Sequence, residues 1–96
     1  MEYNELKKGD VIVFKEYYDD EKIVIFDRIE KNVFGELHLY TSVEFTLSSL
    51  FLEYVEPGYF YIIGKDIVNY RFATDDEKEK IYNAMSKYES EMLDLT

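Results

Sequence analysis

Few residues in this chain are of a type that does chemistry unaided. Its one histidine, His38, lies between Leu37 and Leu39. Triad catalysis needs a base beside its nucleophile, and a lone imidazole on the polar side of an alternating strand reads as a surface residue. His38 cannot build a zinc site alone, and there is no cysteine to join it; thiolate metal centres, disulfides and cysteine nucleophiles are excluded with it. Carboxylates remain, in two runs, Asp19-Asp20-Glu21 and Asp75-Asp76-Glu77. Neither has the alternating acids, central glycine and closing glutamate of a calcium loop. The first reads as a solvated hairpin tip and the second as the acidic first turn of a helix, where the macrodipole favours negative charge. The four glycines, Gly9, Gly35, Gly58 and Gly64, are isolated, and none is followed by the Lys-Ser/Thr of a nucleotide-binding loop. So small a scaffold also leaves little room for a deep pocket. The expectation is a protein that is not an enzyme, with no cofactor and no bound metal.

Charge and aromatics narrow the field of partners. The net charge is −10, a field that repels phosphate backbones and anionic lipid surfaces. Tyr59-Phe60-Tyr61 beside Tyr54 could stack bases as single-strand binders do, yet only Lys65 and Arg71 are near to supply a basic groove. Direct nucleic-acid binding and membrane binding are therefore not expected. Ten tyrosines suit protein recognition instead, because tyrosine offers a large contact area with a polar tip. Where carboxylates interleave with them, at Tyr17, Tyr18, Asp19, Asp20 and Glu21 and again at Glu53, Tyr54 and Glu56, the pattern predicts a contact surface for a basic protein partner.

The elements that must position these groups are short. With 96 residues there is room for one hydrophobic core, so a single domain over 1–96 is expected. Leu6-Lys7-Lys8-Gly9-Asp10 reads as a turn, leading into a strand from Val11 through Tyr18. Lys22 to Glu30 forms the return strand, with Ile23, Ile25 and Ile29 on one face and Val24 and Phe26 on the other. Lys31 to Gly35 connects to the cleanest alternation, Leu37, Leu39, Thr41, Val43 and Phe45 against Glu36, His38, Tyr40, Ser42 and Glu44. Thr46 to Leu50 reads as a loop or turn. Strands at Phe51–Val55 and Tyr59–Ile63 flank Glu56-Pro57-Gly58, a type II turn signature, and Gly64-Lys65-Asp66 breaks the chain before Ile67–Phe72. Short strands joined by turns predict a mainly β fold, a small antiparallel SH3-like barrel or meander of about five to six strands over 6–72. Thr74-Asp75-Asp76-Glu77 is a capping box. The helix it starts, over 75–92, carries Ile81, Met85, Tyr88 and Met92 in one stripe, against the barrel or over its open end.

Two segments resemble a known group. Leu6-Lys7-Lys8-Gly9-Asp10-Val11-Ile12-Val13 and Tyr70-Arg71-Phe72-Ala73-Thr74-Asp75-Asp76-Glu77-Lys78 are similar to small uncharacterised proteins of gut Bacteroidetes and their phages. In those, a short β-barrel opening on a Lys-x-Gly-Asp turn is followed by an Arg-x-Ala-Thr-x-x-Glu-Lys helix start. The resemblance implies architecture and a phage or mobile-element origin, and no catalytic residues. The function expected is an acidic, non-enzymatic protein-interaction module, the alternative being a nucleic-acid mimic that inhibits a host defence or nucleic-acid enzyme. The polar, acidic start Met1-Glu2-Tyr3-Asn4-Glu5 is unlike a secretory signal, and no apolar run approaches the roughly 20 residues of a membrane helix. A cytoplasmic monomer or homodimer is expected.

Overall fold

A computed structural model describes residues 5–15, 21–53, 55–56, 58–67 and 69–94, with side chains described as far as 87. Six strands form one open antiparallel sheet: β1 (Val11–Lys15), β2 (Glu21–Lys31), β3 (Leu37–Thr46), β4 (Leu52–Glu53), β5 (Tyr61–Ile62) and β6 (Tyr70–Phe72). A helix, α1 (Asp75–Asp94), follows. Strands β1 to β4 meander, and β6 returns to the other edge of β1, giving the order β4-β3-β2-β1-β6. Of the two expected forms the sheet adopts the open one. Both β4 and β5 are shorter than their sequence patterns suggest, because they share one edge of β3. Strand β4 takes Glu44 and Phe45, and β5 takes His38 and Leu39.

The turns follow their residues. Gly9 has φ +96° and Asp10 accepts the Lys7 amide at 2.8 Å. Gly58 has φ +84° and the Tyr59 amide donates to the Glu56 carbonyl at 3.0 Å, closing the expected turn. Thr46 to Leu50 does turn, and it leaves Leu50 at φ +53°, a left-handed conformation that costs a non-glycine residue about 1 kcal/mol.

Each face of the sheet carries its own core. On the helix face Val11, Val13, Ile23, Phe45, Ala73 and Ile81 are buried together, with Ala84 and Met85 of α1 packed on them. Ile81 and Met85 are thus where the predicted stripe puts them, while the side chains of Tyr88 and Met92 lie outside the described residues. On the opposite face Ile12, Phe14, Val24, Phe26, Leu39, Tyr61, Ile67 and Tyr70 form the second core. That loop face is covered by the segment around β5 rather than by the helix.

Two predicted alternations are corrected by one irregularity. Ile25 pairs with Val43, Phe26 with Thr41 and Arg28 with Tyr40, so Ser42 and Asp27 are extra residues, one in each strand. Each bulge reverses the facing of all that follows it. Ile29 therefore packs with Val24 and Phe26 instead of with Ile23 and Ile25. Likewise Leu39 joins the loop-face core while Val43 and Phe45 join the helix-face core. Glu44, expected among the exposed polar residues, keeps to the side opposite Val43 and Phe45, but that side carries the second core and leaves it only 4% exposed.

The capping box forms as predicted: the Glu77 amide donates to Thr74 Oγ1 at 3.2 Å and the Thr74 amide donates to Glu77 Oε1 at 2.9 Å. Arg71 on β6 adds a two-pronged bond to the same carboxylate, at 2.7 and 2.9 Å. That guanidinium, helped by the Thr74 amide, holds the Glu77 carboxyl down at about 2. The sheet edge and the helix start are tied by one carboxylate.

Candidate functional site

The burial of Glu44 builds a charged cleft at the β4 end of the loop face. Glu44 stands directly opposite Glu53 across the β3–β4 ladder. Like charges in that position repel, and Lys22 from β2 lies between them, 3.8 Å from Glu44 Oε1 and 3.4 Å from Glu53 Oε2. Burial makes the carboxylate of Glu44 costly unless it is bonded, and it is bonded at both oxygens. The Tyr61 hydroxyl donates to Oε1 at 2.7 Å and the Thr41 hydroxyl to Oε2 at 2.6 Å. Thr46 Oγ1 donates to Glu53 Oε1 at 3.3 Å.

Above this floor opens a cleft of about 380 Å³ lined by Lys22, Glu44, Glu53, Val55, Glu56, Tyr59 and Tyr61. Tyr59 meets Tyr61 edge to face at 5.2 Å between centroids, and Tyr61 in turn meets Phe14 at 5.0 Å, anchoring the tyrosine wall in the core. Three carboxylates share the cleft with one ammonium. Such a surface can hold a cationic group by charge and by the tyrosine rings.

Of the residues singled out in the sequence, Glu53 and Glu56 come together here. Glu21 does not: its partner in register is Lys15, and it acts electrostatically on Arg71, on the helix face of the sheet. Tyr17, Tyr18, Asp19, Asp20 and Tyr54 lie outside the described residues. Sequence reasoning missed Lys22 and Glu44. Lys22 read only as the start of a strand, and Glu44 read as solvent-facing because the alternation of β3 does not reveal that its polar side also meets a core.

His38 stacks on Phe60, rings nearly parallel and 3.8 Å apart, and its Nε2 is 3.4 Å from Asn32 Nδ2. Tyr40 meets the same Phe60 at 6.0 Å and carries the Arg28 guanidinium 3.9 Å over its ring. These rings form a packed aromatic row with no second histidine. Among the described residues, no three His, Asp or Glu side chains gather as metal ligands, and no helix is long and apolar enough to cross a membrane. In comparison with known proteins, the chain matches no family model, no curated protein and no solved structure.

Proposed function

We propose that the chain is a non-enzymatic, acidic protein-interaction module, an accessory protein of a phage or mobile element, whose cleft receives cationic side chains of a basic partner. One observation carries this reading: Glu44 and Glu53 oppose each other with a single lysine between them, beneath a tyrosine wall and beside Glu56. The carboxylate excess persists after Lys22 is counted, and the wall is rigid because Tyr61 is buried. A lysine or arginine of a partner adds the missing positive charge and stacks on Tyr59.

Titration of isotope-labelled protein with a short arginine-rich peptide tests the assignment. The expected result is shifted resonances at Glu53, Glu56, Tyr59 and Tyr61, weakened in a Glu53→Gln/Glu56→Gln variant. Shifts spread evenly over the acidic surface, or none, would remove the cleft from the proposal. Nucleic-acid mimicry is the rival reading, and it calls for free carboxylates in a phosphate-like array. Five carboxylates, Asp27, Glu30, Glu44, Glu53 and Glu77, are engaged by cations of the same chain and are the less available to such an array.

A further inference from the structure

The cleft over Glu44 leaves three things for an occupant to supply. Glu53 Oε2 receives no hydrogen bond: Lys22 stands 3.4 Å away as an ion pair and does not donate to it. A carboxylate oxygen in that state calls for an N–H or O–H donor, and the Glu53 side chain is 32% exposed where the cleft opens. Glu56 is exposed on the cleft wall and has no ion-pair partner among the described residues. Tyr59 is tied to Glu56 by the turn, amide to carbonyl at 3.0 Å, and its ring is half exposed beside that carboxylate.

Elsewhere on the sheet the chain meets the same three demands with a residue of its own. Arg28 lies over the Tyr40 ring, 3.9 Å from its centroid, while its Nε donates to Glu30 Oε1 at 2.8 Å and its Nη1 to Asp27 Oδ2. One guanidinium can serve a ring and two carboxylates together, because its N–H groups fan out in a plane and leave its flat faces bare. An ammonium is a compact point charge and has no such face. Lys22 shows the difference within the cleft: drawn to Glu44 and Glu53, its Nζ stays 5.8 Å from the centroid of the Tyr61 ring.

We infer, resting on the reading of the cleft as a site for cations, that it selects arginine over lysine. The guanidinium lies on the Tyr59 ring and its edge donates to the carboxylates of Glu53 and Glu56. The arrangement is that of Arg28 on Tyr40 between Asp27 and Glu30, with the arginine brought by the partner. Lys22 remains with Glu44, so the cleft keeps its floor when the arginine enters.

Two end-blocked peptides, alike except that one carries arginine and the other lysine between glycines, are titrated into the isotope-labelled full chain. The titration is run at about 0.15 M salt, where loose attraction to the acidic surface is screened. Resonances of Glu53, Glu56 and Tyr59 should move with both peptides, and the arginine peptide should bind about fivefold or more tightly. Tyr59→Leu should bring the arginine peptide down to the affinity of the lysine peptide, which itself should change little; Glu56→Gln should weaken both. Both positions are exposed, and circular dichroism should show both variants folded. Equal affinity of the two peptides at these resonances, or a preference that survives Tyr59→Leu, would overturn the inference and leave a cleft that takes cations of any shape. Resonances there that neither peptide moves would remove the cation site itself, and the selectivity with it.

Discussion

The two faces of the sheet are stabilised in different ways. On the helix face, aliphatic and aromatic groups are buried against α1, and charge is confined to the rim, where Arg71 holds Glu77. On the loop face, a comparable apolar core continues into a charged network in which Lys22, Glu44, Glu53 and Tyr61 depend on one another. An apolar core tolerates only the right volume. A charged network tolerates only the full set of partners, because each member lost strands the others.

That contrast sets the scale of what mutation should do. Phe45→Ala on the helix face should cost the most, about 4 kcal/mol, through the cavity left at a fully buried site, read as a fall in the urea midpoint. Lys22→Met should cost about 3 kcal/mol although it keeps an apolar stem, because Glu44 and Glu53 are left facing each other. Adding Glu44→Gln to Lys22→Met should then restore part of the loss; a double variant no more stable than the single one would contradict the network. Tyr61→Phe removes one hydroxyl from Glu44 and should cost about 1 to 2 kcal/mol.

The rim of the helix face gives the smallest effects and a different signature. Thr74→Ala should cost about 1 kcal/mol. Glu77, lowered to about 2 from an ordinary 4.5, contributes stability that is complete above its unfolded value and is lost as pH falls from 4.5 toward 2. Arg71→Gln should flatten the acid limb of a stability–pH profile in that window. An unchanged acid limb would show that Glu77 and Arg71 are not coupled in solution.

Much of the fold was legible locally. Thr74 and Glu77 announce the helix start, Gly9, Gly58 and Gly64 take the positive φ their turns require, and Val11 to Phe14 read as strand because β-branched and aromatic residues suit a pleated, covered surface. What was not legible was pairing. Whether Leu39 shares a face with Phe45 depends on Ser42 being an extra residue opposite β2, and whether Glu44 meets solvent depends on what covers its face; both are decided between elements, not along one strand. The site was half legible for the same reason. Glu53 and Glu56 stand out as acids among tyrosines, whereas Lys22 matters only because β2 lies beside β3, and β3 beside β4.

The twin bulges can also be thought of as a pair of compensating frameshifts. Ile25 still faces Val43 and Ile29 still faces Leu39, as they would in a ladder without either extra residue. The alignment of the two strands is thus intact on both sides, while both have rolled over by half a turn. A single apolar stripe in the sequence thereby serves two cores in succession, the helix-face core near one end of the ribbon and the loop-face core near the other. Length changes in this ribbon are accordingly tolerable only in matched pairs: losing Asp27 or Ser42 alone would put every residue beyond it opposite the wrong partner.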